Sequence, residues 1–64
     1  MSYVTGKIIK TLREKRKLTQ KELAEKISVS DKTVSKWETG KGLPDIGIIE
    51  ELAKALGVSI GELL

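Results

Sequence analysis

Sixty-four residues with two aromatics, no Cys and no His make one domain with a core near the lower limit of useful size. They exclude a disulfide framework, a zinc cluster and catalysis by histidine or cysteine, and no apolar run exceeds two residues, so neither a transmembrane span nor a secretory leader is expected. The net charge of +3 conceals an asymmetry, since residues 7–41 carry +6 and residues 42–64 carry −3. A field like that of the first stretch suits a polyanion, although charged residues that merely keep a small domain soluble would look the same.

In chain order, Met1 to Thr5 is a short leader, and Thr5 offers a cap for a helix running roughly to Lys17. Ile8, Ile9 and Leu12 form its apolar stripe, which Val4 extends backwards. Lys15, Arg16 and Lys17 cluster where cations suit the negative end of a helix, which is reason enough for their presence.

Thr19 to Gly40 reads as two short helices joined by a tight turn. Leu23 and Ile27 are four apart on the first, Val34 and Trp37 three apart on the second, so each pair occupies one face. Ala24 is small enough to let the helices cross closely. Thr19 and Glu22 compose a capping box with Leu18 stapled to Leu23, while Ser30 caps the second helix with Val29 stapled to Val34. Thr33 stands where a second box needs Glu or Gln, and Gly40 supplies a left-handed stop.

Lys41 to Pro44 cannot continue a helix, and Asp45 caps the next one. Ile46, Ile49, Leu52, Ala53 and Leu56 then give an amphipathic stripe, weakened in its first turn by Gly47 and closed by Gly57. Ser59 and Glu62 form another capping box, with Val58 stapled to Leu63, so a last short helix begins as the sequence ends. Leu63 and Leu64 at that end either pack on the core, meet a partner, or mark a piece of a longer chain with a further domain. The expected fold is all-α, a single domain over residues 1–64 built as a compact bundle of five short helices.

The run LTQKELAEKISVSDKTVSKWETGK, with the closing IIEELAKALGVS, resembles the phage-repressor-like (XRE-type) family of helix-turn-helix regulators over nearly the whole chain. The resemblance implies a lambda-repressor-like fold and a sequence-specific, double-stranded DNA-binding transcriptional regulator, most typically a repressor, in the cytoplasm and without a cofactor. Many members have Gly at the turn position that is Ser28 here, so Ser28 should be strained or the turn slightly opened, at a cost of about 1 kcal/mol.

In such a motif the second helix enters the major groove and the first crosses the backbone. With Val34 and Trp37 inward, Asp31, Lys32, Ser35 and Lys36 point outward, a set chemically able to read base edges. By resemblance, Asp31, Lys32 and Lys36 occupy base-reading positions, and Gln20, Thr39 and Lys41 contact phosphates. Asp31 also suits a helix start, Ser35 also permits close approach, and Trp37 belongs to the core rather than to a stacking platform. Arg13 and Glu38 match a family pair that holds the first helix against the recognition helix; without the resemblance both would read as surface charges.

A homodimer on a palindromic operator is the expected assembly. A protein-interaction module of the antitoxin or adaptor kind, with Ile60, Leu63 and Leu64 as its contact surface, is the alternative. An enzyme is not expected, because no nucleophile with a base, no metal set and no phosphate loop is present.

Overall fold

A computed structural model describes residues 6–63, so the Thr5 cap and the contribution of Val4 fall outside the described residues, as does Leu64. The five expected helices are α1 (Gly6–Lys15), α2 (Gln20–Lys26), α3 (Asp31–Glu38), α4 (Ile46–Leu56) and α5 (Ile60–Leu63). Helix α1 stops two residues short of the expected end. Its cluster of cations explains the stop only in part: Arg16 donates Nε to the Leu56 carbonyl at 2.9 Å and so closes the C-terminus of α4 rather than its own.

Helix starts follow the capping residues. Thr19 Oγ1 accepts from the Glu22 N–H at 3.0 Å while Glu22 accepts from the Thr19 N–H at 2.8 Å, a complete box that also holds the Glu22 carboxyl below its usual range. Ser30 Oγ accepts from the Thr33 N–H, and the missing return bond is replaced by a hydroxyl–hydroxyl contact between Ser30 and Thr33 at 2.9 Å. Asp45 caps α4 through the Ile48 N–H, and Ser59 with Glu62 completes the last box.

The first four helices share one ending. After each, a residue turns left-handed and the next N–H reaches back five residues, from Leu18 to Arg13, Val29 to Ala24, Lys41 to Lys36 and Val58 to Ala53. Glycine occupies the left-handed position twice, at Gly40 (φ 76°) and Gly57 (φ 71°); Lys17 (φ 57°) and Ser28 (φ 59°) occupy it without that freedom. The turn between α2 and α3 is therefore intact and Ser28 is the strained residue. Ser28→Gly removes a left-handed penalty of about 1–2 kcal/mol and adds about 0.4–1 kcal/mol of unfolded-chain entropy, so we expect a small net stabilisation. A melting temperature a few degrees above the parent checks it; a decrease would show that the serine side chain itself stabilises the turn.

The core joins Ile9, Leu23, Ala24, Ile27, Val34, Trp37, Ile49, Leu52, Ala53, Leu56 and Leu63. Two expectations are corrected here. Ile46 is not part of the α4 stripe but 75% exposed, because it is the first residue of the helix and lies at the rim; Ile48 packs against the core instead. Leu63 is fully buried, so it closes the bundle and is unavailable as a contact surface, whereas Ile60 is exposed.

Candidate nucleic-acid interface

On α3 the apolar pair decides what the opposite side presents. Val34 is fully buried and Trp37 nearly so, which leaves Asp31, Lys32 and Lys36 exposed and Ser35 half-exposed on one outward surface. Two amines, a hydroxyl and a carboxylate thus stand together on an eight-residue helix whose other side is anchored. Such a set can donate to guanine O6 and N7 and accept from cytosine N4.

The orientation of α3 is held by a four-membered polar cluster. Arg13 on α1 donates Nε and Nη2 to the two Glu38 oxygens at 2.7 and 3.1 Å, and Nη1 to the Leu18 carbonyl at 2.8 Å. The side chains of Arg13 and Glu38 are 11% and 3% exposed, so this is a buried ion pair rather than two surface charges. Burial alone would raise the Glu38 carboxyl, but the bonds from Arg13 and Gln20 outweigh it and hold the group below its usual range; the Arg13 guanidinium is correspondingly raised by its bonds to Glu38.

Hydrogen bonds within the fold constrain two of the expected phosphate contacts. Gln20, at the start of α2, donates Nε2 to Glu38 at 3.0 Å, so its amide links α2 to the end of α3. Thr39 is exposed, but its hydroxyl donates to the Ser35 carbonyl at 2.9 Å; meeting a phosphate as a donor requires that bond to be exchanged. Lys41 is exposed just beyond α3. The sequence reading missed Lys10, an exposed amine whose field acts on Glu38 from α1; its signal was the three-residue spacing from Arg13, which places both on one helical face.

Among the described residues no group of three or more His, Cys, Asp or Glu side chains is placed to hold a metal ion, and no helix is long and apolar enough to cross a membrane. What the molecule does present is an all-helical bundle in which α2 and α3 meet at a left-handed turn, the architecture of a phage-repressor-like helix-turn-helix domain.

The helix-turn-helix family model matches residues 9–63, and the chain belongs to that family. It is 43% identical over 56 residues to the HTH-type transcriptional activator BcrR of Enterococcus faecalis, covering 88% of this chain and 28% of BcrR. It is 38% identical over 55 residues to multiprotein-bridging factor 1 of Candida albicans, covering 86% of this chain and 36% of that protein. The chain thus spans about a third of the length of these relatives. The crystal structure of the P22 c2 repressor in complex with synthetic operator 9T superposes with a TM-score of 0.89 and 32% identity, over 98% of this chain and 96% of that one.

Proposed function

We propose that this chain is a sequence-specific double-stranded DNA-binding domain of a transcriptional regulator, with α3 in the major groove and no catalytic activity. The observation that carries this reading is the burial of Val34 and Trp37, which turns Lys32 and Lys36 outward together on a helix clamped from behind by Arg13 and Glu38. Asp31, Lys32, Ser35 and Lys36 read base edges; Gln20, Thr39 and Lys41 contact the phosphates on either side. Repression is the output we assign, since it needs only occupancy of the operator. Residence in the cytoplasm accords with this reading wherever the cell keeps its DNA there.

A homodimer on a palindrome suits the dimensions. The backbone measures 27 × 23 × 20 Å, and half-sites one helical turn apart are separated by about 34 Å, so two copies fit side by side without overlap. The name of multiprotein-bridging factor 1 favours a second reading, a protein-interaction module on the same fold. With Leu63 in the core, the surface first assigned to such contacts reduces to Ile60 among the described residues.

Titration of labelled palindromic and random duplexes against rising salt tests the first reading. We expect a preference for the palindrome and a log–log salt slope of about −0.9 for each phosphate neutralised. Equal affinity for both duplexes, or binding indifferent to salt, would overturn it. Within the site, Lys36→Ala should relax base preference at one position, a change of about 1–3 kcal/mol, whereas Lys41→Ala should weaken all sequences alike and reduce the slope by roughly one phosphate. Uniform weakening by both variants would remove Lys36 from the readout set.

A further inference from the structure

The side chains that α3 turns outward are chemically narrow. The two-pronged contacts to base edges are made by Arg on guanine and by Asn or Gln on adenine. The sequence contains no Asn, its one Gln is Gln20 on α2, and its two arginines lie on α1 and just beyond it. Each of these three side chains is engaged within the protein: Gln20 donates to Glu38, Arg13 to Glu38 and the Leu18 carbonyl, and Arg16 to the Leu56 and Gly57 carbonyls. On α3 itself Val34 and Trp37 belong to the core, Glu38 accepts from Arg13, and Thr33 Oγ1 is paired with Ser30 Oγ at 2.9 Å. Two ammonium groups, a carboxylate and a hydroxyl remain, on Lys32, Lys36, Asp31 and Ser35.

Each charged group of that set favours a G·C pair in the major groove. A lysine has three donors and no acceptor, and guanine offers it two neighbouring acceptors, N7 and O6. In an A·T pair the acceptors, adenine N7 and thymine O4, are separated by the adenine amino group. A carboxylate needs a donor; the adenine amino group lies between those same two acceptors, whereas cytosine N4 has an acceptor on one side only. The Ser35 hydroxyl both donates and accepts, and so selects neither pair.

Spacing along α3 turns the preference into a pattern. Lys32 and Lys36 are about 6 Å apart along the axis and within about 40° around it, so both follow one strip of the helix. Base pairs stack about 3.4 Å apart, which makes that distance about two steps of the duplex. Along the axis Ser35 falls between the two lysines, and Asp31 lies on the side of Lys32 away from Lys36.

We propose that each operator half-site carries G·C pairs at two positions separated by one unspecified pair, the guanines contacted by Lys32 and Lys36. A third G·C pair adjoins that of Lys32, its cytosine contacted by Asp31. The inference rests on the DNA-binding function proposed above and names the class of sequence that the site selects.

Sequencing the duplexes that the chain retains from a random double-stranded pool tests it. We expect enrichment of the spaced guanines, and about tenfold weaker binding when either is replaced by 7-deazaguanine, which lacks the N7 acceptor. Lys36→Gln should change the preferred base at its own position from guanine to adenine, whose N6 and N7 a Gln matches, and leave the other positions as they were. Lys32→Gln should do the same at the other guanine, a change of base that the mere loss of a phosphate-binding charge does not produce. Asp31→Ala should remove the preference at the adjoining pair alone.

A retained pool rich in A·T pairs, or guanines adjoining or farther apart, would overturn the inference while leaving the DNA-binding reading in place. So would Gln variants that still select guanine wherever the parent does. A pool indistinguishable from its input would remove the sequence-specific reading together with this one.

Discussion

An Arg13→Ala substitution is expected to leave a large share of the protein unfolded at room temperature. It removes three hydrogen bonds and leaves the Glu38 carboxylate, 3% exposed, with Gln20 alone. Breaking a buried pair from one side costs about 3–5 kcal/mol, and a domain of this size rarely holds more than about 3–5 kcal/mol in total. Urea denaturation followed by Trp37 fluorescence measures the loss. Replacing both partners, as Arg13→Met with Glu38→Leu, should recover most of it, because no orphaned charge remains. A loss below about 1 kcal/mol in the single variant would place the pair among surface ion pairs.

The same pair sets a pH dependence whose sign follows from Glu38. Its folded carboxyl lies below the ordinary value of 4.5, so its contribution is complete above that value and disappears as pH falls through the lower, folded one. In Arg13→Ala the cation is gone and burial pushes the carboxyl upward, so on acidification the folded state takes the proton first and stability should instead rise as pH approaches 4.5 from above. Acid titrations of the two proteins by circular dichroism should therefore separate in opposite directions from that value.

Gly6→Ala is expected to destabilise the fold by about 1–3 kcal/mol, the usual range for overpacking. Helix propensity alone predicts the reverse, a gain of about 1 kcal/mol, which makes the sign of the result decisive. A Cβ at Gly6 would lie 2.7 Å from the Glu38 carbonyl carbon and against the Trp37 carbonyl oxygen. Both obstacles are backbone, so no side-chain rotation relieves them, and α1 would have to withdraw from the end of α3. Thermal melts of the variant check the stability, and a duplex titration shows whether α3, the proposed recognition helix, moves with it. A melting temperature above the parent would mean that the two helices separate at little cost.

That close approach marks where sequence reasoning ends. Caps at Thr19, Ser30, Asp45 and Ser59 were legible because each depends on residues three apart, and the buried faces of α2 and α3 because Leu23, Ala24, Val34 and Trp37 recur at helical spacing. The contact of Gly6 with Glu38 joins residues 32 apart in the chain, and nothing local announces it. Ile46 misled because the same spacing that defines a stripe says nothing about how far a helix projects beyond its neighbours. In the proposed interface, the outward set followed from burial on α3, and the Arg13–Glu38 pair from the family resemblance. The inward donation of the Thr39 hydroxyl and the hold of Glu38 on Gln20 depend on rotamers that only packing selects.

The repeated left-handed endings bear on how such a domain can change its target. Lys17 and Ser28 each keep an unrelaxed backbone, and neither belongs to the set assigned to bases or phosphates. Under the proposed function, new base preferences would arise by altering residues such as Lys32 and Lys36, and most substitutions in a small protein erode its tolerance to heat. Two glycine replacements at those corners offset that erosion without touching the reading surface. Under the proposed function, robustness and the choice of target sequence would therefore be adjusted independently in this chain.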